Sequence, residues 1–304
     1  MNLSAPRSID QYLRQLREQL AGEDRALIQD ALYDAEEYLR AEVAAHPEKS
    51  ESDVLELIAS TYGAADEVAS AYRDTEAKVK AAMTTPRKTA DSGLGRFFGV
   101  FLDARAYTSF FFMLLALATG VIYFVFAVTG MALSAGLAVL VIGVPFFVMF
   151  VALARVVSLA EGRLIEAMTG ERMPRRPVHQ SKHVGLWARI GQMLKDPRTW
   201  TTFAYLLLML PLGIVYFVIA VTGLSCCLAF IFSPLLVITS RFGWIETPVH
   251  MNPAWLESWW MLPIMVLAGV LLLTLLMHLA RGIGRVHARL AKILLVAPAQ
   301  AAAQ

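Results

Sequence analysis

The side chains that could do chemistry are few and lie far apart in this 304-residue chain. His179 and His183 are four residues apart, a spacing that places two imidazoles on one helical face and could hold a metal ion. No cysteine or carboxylate is close to them and Pro177 precedes them, so we interpret the pair as part of a solvated connector. The two cysteines, Cys226 and Cys227, are adjacent. Because disulfide geometry is specific, we interpret them as small packing residues.

Polar and aromatic side chains in the apolar parts of the chain are the best candidates for a ligand site. Two tyrosine–threonine pairs recur in a repeated motif, and two tryptophans lie near the end of an apolar tract. The alternatives are that tyrosine and tryptophan form an aromatic belt at the membrane interface and that threonine supports close helix packing. The ligand-binding hypothesis covers Tyr123, Thr129, Tyr216, Thr222, Trp244 and Trp255.

Catalytic motifs are missing from the sequence. It contains no glycine-rich phosphate loop, no His-Glu-x-x-His and no Gly-x-Ser-x-Gly, the patterns that hold phosphates, zinc ions and nucleophilic serines. We therefore expect a protein that is not an enzyme and that uses no cofactor and no metal.

Three long tracts without Asp, Glu, Lys or Arg define the elements that must position any site: residues 106–154, 199–240 and 258–280. Only 17% of the residues are charged and the mean hydropathy is +0.54, whereas soluble chains have about 25% charged residues. Because a membrane-spanning helix needs about 20 apolar residues, the first tract is long enough for two helices and the third for one. The second could hold one or two.

The basic residues decide the number of crossings. Lys and Arg concentrate before the first tract, between the first and second, and after the third, whereas residues 241–257 carry only Arg241. Since short loops rich in Lys and Arg stay in the cytoplasm, we predict four helices with both termini cytoplasmic. Residues 224–238 then either extend the third helix past Pro234 or form an interfacial or re-entrant segment.

Several basic and aromatic residues border the tracts, where anionic lipid and the positive-inside rule explain them. We expect them at the inner interface against lipid headgroups: Arg96, Arg105, Arg189, Arg198, Trp187, Trp200, Arg281 and Arg285.

The lack of charge inside the tracts also bears on function. Ion-coupled transporters and proton pumps usually keep ionisable side chains within the membrane. The sequence therefore favours sensing or scaffolding over ion transport.

An internal repeat organises the apolar part. Residues 120–130 and 213–223 read GVIYFVFAVTG and GIVYFVIAVTG, identical at eight of eleven positions. The offset between the copies is 93 here and 126 further on, where it pairs Arg155 with Arg281. We predict a four-helix transmembrane bundle made of two parallel two-helix repeats, related by an axis along the membrane normal.

The N-terminal part differs in character. Residues 1–80 hold 9 basic and 17 acidic residues, a net charge of −8, while the rest of the chain carries +10. Apolar residues recur at helical spacing over 9–20 and 24–45, and Ser50 and Gly63 predict the start of a third helix and the turn to a fourth. The sequence predicts a small cytoplasmic helical bundle, whose acidity argues against binding nucleic acid.

The predicted fold is all-α throughout. Its divisions are the helical domain 1–80, a linker 81–93, the first membrane repeat 94–170, a cytoplasmic connector 171–182, the second membrane repeat 183–296 with an outer loop 239–258, and a tail 297–304.

Two family resemblances cover most of the chain. Tyr12-Leu13-x-x-Leu16 and Tyr62-Gly63-x-x-x-Glu67-Val68-Ala69-x-x-Tyr72 resemble the HAAS-type helical signalling domain found at the N-terminus of bacterial membrane proteins. Asp196-Pro197-x-Thr199-Trp200 followed by Leu210-Pro211-Leu212-Gly213-x-x-Tyr216-Phe217 resembles the sensor membrane domain of bacterial sensor domain-containing proteins. That family is best known from histidine kinases and has duplicated halves.

These resemblances imply a sensor or signal-transduction protein of a bacterial inner membrane that detects an envelope or membrane cue. It would act on a cytoplasmic regulatory protein through residues 1–80, with membrane lipids and a second copy of itself as further partners. The alternatives are a small transporter or transporter accessory subunit, and a self-assembling membrane scaffold.

Overall fold

A computed structural model describes residues 6–83, 93–138, 143–174, 176, 191, 194–244 and 258–296. The described residues form helices, turns and irregular segments without a β-strand. The predicted all-α fold is therefore confirmed. Within the predicted linker 81–93, residues 81–83 end the helix Ala65–Met83 and residue 93 begins the helix Gly93–Phe98. Residues 84–92, the predicted tail, His179 and His183 lie outside the described residues.

The N-terminal part is a four-helix bundle. Its helices are α1 (Ile9–Gln19), α2 (Arg25–Ala45), α3 (Glu51–Thr61) and α4 (Ala65–Met83). Side chains at the N-caps of α1, α2 and α3 accept hydrogen bonds from first-turn amides, which would otherwise lack a partner. These caps are Ser8, Asp24 and Ser50.

The core of this bundle comes from the periodic apolar residues that the sequence marks. Tyr12, Leu16 and Leu39 are buried among residues of the other helices. The Tyr12 hydroxyl donates to the carbonyl of Gly63 at 3.0 Å, which ties α1 to the turn between α3 and α4. Gly63 has φ +102°, a conformation that only glycine adopts without strain.

Among the described residues after the N-terminal bundle are one short helical segment and four long helices. The short segment is α5 (Gly93–Phe98) with a following 3-10 turn (Gly99–Leu102). The long helices are α6 (Ala104–Leu137), α7 (Gly143–Thr169), α8 (Pro197–Arg241) and α9 (Met261–Leu295), and all four contain a stretch long and apolar enough to cross a membrane. The protein is a multi-pass membrane protein with four such helices among its described residues.

Helix α8 decides between the alternatives for residues 224–238. It runs without interruption from Pro197 to Arg241, through Pro211 and Pro234. Residues 224–238 are therefore a continuation of the third membrane helix, and a separate interfacial or re-entrant segment is wrong. At 1.5 Å per residue, α8 is about 67 Å long, roughly twice the thickness of the hydrocarbon core.

Two glycines bring α6 and α8 into close contact. A Cβ atom built on Gly120 would lie 2.5 Å from the carbonyl oxygen of Met209, and one built on Gly213 would lie 2.2 Å from that of Ala116. Small residues at this contact let two backbones approach closely, as membrane helices require when packing holds them together.

Two ion pairs join the helices near their charged ends. Arg281 of α9 pairs with Asp103 before α6 at 2.9 Å, and Arg155 of α7 pairs with Asp196 before α8 at 3.4 Å. The offsets of 126 and 93 relate these two pairs to each other. That the two repeats are parallel and related by an axis along the membrane normal stays a prediction.

Candidate functional site

A buried acid and a buried histidine lie between the four long helices. Glu161 of α7 and His287 of α9 have no exposed surface. Both lie in helices of membrane length but outside the uncharged tracts, because α7 and α9 continue past the tract ends. The tracts themselves contain no Asp, Glu, Lys or Arg, as the sequence shows, but the helix bundle buries an acid and a histidine beyond the tract ends.

Two tyrosine hydroxyls donate to the Glu161 carboxylate. Tyr123 of α6 donates to Oε2 at 2.7 Å, and Tyr205 of α8 donates to Oε1 at 2.9 Å. A carboxylate taken out of water is costly unless it is hydrogen-bonded and paired. Both of its oxygens therefore have a donor from a neighbouring helix.

The His287 ring continues the chain of hydrogen bonds. Its Nε2 lies 3.1 Å from the Tyr205 hydroxyl and its Nδ1 lies 3.4 Å from the Tyr216 hydroxyl. Tyr205 is fully buried and Tyr216 is 8% exposed. Five side chains from all four long helices thus form one continuous polar chain: Tyr123, Glu161, Tyr205, His287 and Tyr216.

The repeat offsets relate the two ends of this polar chain. The offset of 93 pairs Tyr123 with Tyr216, and the offset of 126 pairs Glu161 with His287. Each tyrosine contacts the ionisable residue of its own half. The sequence interpretation missed Glu161 and His287, although extending the offset that aligns Arg155 with Arg281 would have found them.

The middle of the polar chain differs between the halves. The offset of 93 pairs Tyr205 with Phe112, whose ring lies 4.8 Å from the His287 ring. A hydroxyl can bridge the acid and the histidine, whereas a phenyl ring cannot. A single tyrosine therefore connects the two halves.

The described residues of the ligand-binding hypothesis fall into two groups, those that belong to the polar chain and those that do not. Tyr123 and Tyr216 contribute to the polar chain instead of anchoring at an interface. Thr129 and Thr222 are exposed on helix surfaces, and the structure does not bring them to the site. The two remaining candidates are tryptophans. Trp244 is 78% exposed, and Trp255 lies outside the described residues.

Some of the predicted inner-interface residues contact protein groups, and others are exposed. Arg281 is held by Asp103, and Arg198 donates to the side chain of Gln29 at 2.9 Å, so both engage protein groups. The Trp200 indole donates to the carbonyl of Leu194 at 2.8 Å. The exposed members are Arg96, Arg105, Trp200 and Arg285, while Trp187 and Arg189 lie outside the described residues.

Helix α2 of the N-terminal bundle binds the basic ends of the membrane part. Asp30 pairs with Arg172 at 3.2 Å, and Asp34 pairs with Arg176 at 2.9 Å. Asp24 pairs with Lys292 near the end of α9.

We call this contact between α2 and the basic residues of the membrane part the docking surface. Further contacts in it involve the amide side chain of Gln29 and the acidic helix α4. Gln29 accepts from Arg198 and donates to the carbonyl of Arg176 at 2.7 Å. Glu76 of α4 adds a second carboxylate at Arg172. An acidic domain thus meets basic residues that follow α7, begin α8 and end α9.

A cavity lies between this docking surface and the polar chain. Its volume is about 60 Å³, and its lining includes Gln29 and Arg198 of the docking surface. Ser158 and Gly162, which flank Glu161 on α7, line the same cavity. The space lies close to the helix turn that carries Glu161.

Metal binding finds no support in the described residues, because no three His, Cys, Asp or Glu side chains among them are grouped to hold an ion. Both cysteines are free thiols, with Cys226 exposed and Cys227 buried.

Comparison with known families identifies the membrane part. The family described as "Putative sensor" matches residues 112–295, which is more than half of the chain and includes every residue of the polar chain. The protein belongs to this sensor family. No curated protein and no solved structure is significantly similar to it.

Proposed function

We propose that the protein is a non-enzymatic membrane sensor of a bacterial inner membrane, with cytoplasmic termini, that passes a membrane or envelope cue to a partner protein. The observation that carries this proposal is the docked N-terminal bundle, whose α2 is held by residues associated with three of the four long helices. A rearrangement of those helices would move the basic groups apart and release the bundle.

The composition of the docking surface supports a reversible contact. Its contacts are ion pairs and amide hydrogen bonds. The Arg176–Asp34 and Lys292–Asp24 pairs are partly exposed, whereas Asp30 and Gln29 are buried. Partly exposed ion pairs contribute about 0–1 kcal/mol each, so a modest change can open the two outer pairs first and expose the buried contacts of Asp30 and Gln29 to water. The freed acidic face of α2 would then bind a basic surface on the partner.

The sequence motifs of the N-terminal bundle also support the proposal. Its four helices carry the motifs that resemble the HAAS-type signalling domain, and the Tyr12–Gly63 contact joins the two motifs. A signalling role for this bundle, acting on a cytoplasmic regulatory protein, is part of the proposal.

Charge reversal in the full-length protein tests the proposal. Lys292→Glu should weaken the docking, because it sets a carboxylate against Asp24. Adding Asp24→Lys should restore the attraction with the charges inverted, at a cost of about 1 kcal/mol for the lost N-cap of α2, which lies within the bundle. The matched control is Arg285→Glu, an exposed charge on the same helix. We expect crosslinking in the native membrane to capture a cytoplasmic partner more strongly in Lys292→Glu, and at the wild-type level in the double variant and the control. A partner pattern that is the same in all four proteins contradicts the proposal.

Proton-coupled transport is the second candidate, because Glu161 and His287 are ionisable residues buried between membrane-length helices. Such residues mark ion pathways in many transporters. Proteoliposomes with an internal pH dye separate the candidates. A sensor leaves the internal pH unchanged, whereas a transporter moves protons in the wild type and not in Glu161→Gln.

A further inference from the structure

We propose that Glu161 and His287 share one proton, which moves between the carboxylate and the imidazole through the Tyr205 hydroxyl. This goes beyond the signalling role and does not rest on it. The three groups are continuous, at 2.9 Å from Tyr205 to Glu161 Oε1 and at 3.1 Å from Tyr205 to His287 Nε2.

The burial of the two end groups requires a balanced charge. Glu161 and His287 are both fully buried, and an isolated charge in a low-dielectric interior is far less stable than a neutral group or a close pair. One proton shared by an acid and an imidazole gives zero net charge wherever it resides. Two protons or none would leave a charge of one sign in the bundle.

In the ion-pair form, both ring nitrogens of His287 carry hydrogen. Nε2–H donates to the Tyr205 oxygen, and Tyr205 O–H donates to Oε1 of the Glu161 carboxylate. Transfer breaks the His287 Nε2–H bond and forms a new O–H bond on Tyr205. The original Tyr205 O–H bond breaks as an O–H bond forms on Glu161. The products are a neutral imidazole and a carboxylic acid, and no other reactant is needed.

The outer members of the polar chain fit both forms. Tyr123 donates to Glu161 Oε2 at 2.7 Å in either form. The Nδ1–H of His287 donates to the Tyr216 oxygen in either form, across 3.4 Å. Every hydrogen bond between the five side chains thus has one donor and one acceptor before and after transfer, which is the condition for a buried polar network to remain satisfied.

The test counts protons on the two residues in the full-length protein in lipid bilayers. Nitrogen-15 NMR of labelled histidine reports the imidazolium fraction of His287, and infrared spectroscopy reports the carboxylic acid fraction of Glu161. Glu161→Gln and His287→Gln assign the signals. The matched control is His278→Gln, because His278 contacts the Phe97 carbonyl outside the polar chain.

We expect the imidazolium fraction of His287 and the acid fraction of Glu161 to add up to one in the wild type at neutral pH. Glu161→Gln should abolish the imidazolium signal of His287, and His278→Gln should change neither fraction. Tyr205→Phe should slow the exchange of the proton between the two forms, seen in the line width of the His287 nitrogen-15 signals, because its hydroxyl is the path.

Three results overturn the proposal. One is a wild type with a neutral His287 and an ionised Glu161, or with both residues protonated. Another is an imidazolium signal that persists in Glu161→Gln. The third is an exchange rate that is the same in Tyr205→Phe as in the wild type. Because the proton count is made on the wild type, a variant that fails to fold does not remove the test.

Discussion

At the scale of single residues, the polar chain depends on one hydroxyl. Tyr205 is fully buried and contacts both Glu161 and His287. A buried polar group that loses its partner costs far more than a hydrogen bond contributes net, because it no longer has water to replace that partner. Tyr205 therefore stabilises two neighbours at once.

Tyr205→Phe should lower the free energy of unfolding by about 1–3 kcal/mol for each neighbour left without a partner. The measurement is chemical unfolding of the purified protein in detergent. Tyr107→Phe is the matched control, since its hydroxyl donates to a backbone carbonyl and its side chain is 49% exposed; it should cost about 1 kcal/mol or less. Equal losses in the two variants would show that Tyr205 acts only as a packed ring.

Asp103 combines two roles that conservative variants can separate. Its side chain accepts from the amide of Arg105 at the start of α6 and pairs with Arg281 at 2.9 Å. Asp103→Asn should keep the cap and lose the ion pair, whereas Asp103→Ala should lose both. We expect Asp103→Ala to be less stable than Asp103→Asn by about 1 kcal/mol, the usual contribution of an N-cap. Thermal unfolding of both variants checks the order, and equal stability would contradict the capping role.

At the scale of elements, the α6–α8 contact holds the membrane helices together. No space for a side chain exists at Gly120 or Gly213, because the obstructing atoms are backbone carbonyl oxygens, which cannot rotate away as a side chain does. Substitution there must separate the two helices, and this contact lies next in the chain to Tyr123 and Tyr216.

Gly213→Ala should destabilise the protein by about 1–3 kcal/mol through overpacking. Gly282→Ala on α9 is the matched control, because nothing lies within 4 Å of its added Cβ; it should stabilise the helix by up to about 1 kcal/mol. The two variants should therefore shift the unfolding transition in opposite directions. A stabilised Gly213→Ala would show that the close approach does not exist.

At the scale of the whole molecule, the two parts of the chain are joined by charge. The helices that carry Glu161, Tyr205 and His287 are α7, α8 and α9. Arg172 follows α7, while Arg198 and Lys292 belong to α8 and α9, and all three contact the N-terminal bundle. A change in the polar chain that shifts these helices would therefore reach the docking surface directly.

Salt should weaken the docking. Raising the ionic strength from about 0.15 M to about 1 M shortens the Debye length from about 8 Å to about 3 Å, which screens partly exposed ion pairs. A thiol crosslinker between Gln29→Cys and Arg198→Cys, with the native cysteines replaced, should react more slowly at high salt. The control pair, Arg40→Cys with Arg198→Cys, should react little under either condition. A rate that does not depend on salt would contradict an electrostatic contact.

The sequence by itself determined that the chain is helical, that four stretches are long and apolar enough to cross a membrane, and where several helices start. Apolar periodicity, caps such as Ser50, and the uncharged tracts act over a few residues, so local patterns predict them. The repeat at 120–130 and 213–223 also lies in the sequence alone. The sensor family, too, was indicated by a sequence motif at residues 196–217, and the family match over residues 112–295 establishes it.

Only the tertiary structure decided which polar groups meet. Glu161 lies between basic residues in sequence, and a charged stretch of that kind usually indicates an exposed helix end. Its burial depends on Tyr123 and Tyr205 from two other helices, and no local pattern records that proximity. The docking of α2 is of the same kind, since the charge difference of −8 against +10 shows that the two parts attract but not which pairs form. Long-range contacts are set by how whole helices pack, and the packing brings together residues more than a hundred positions apart.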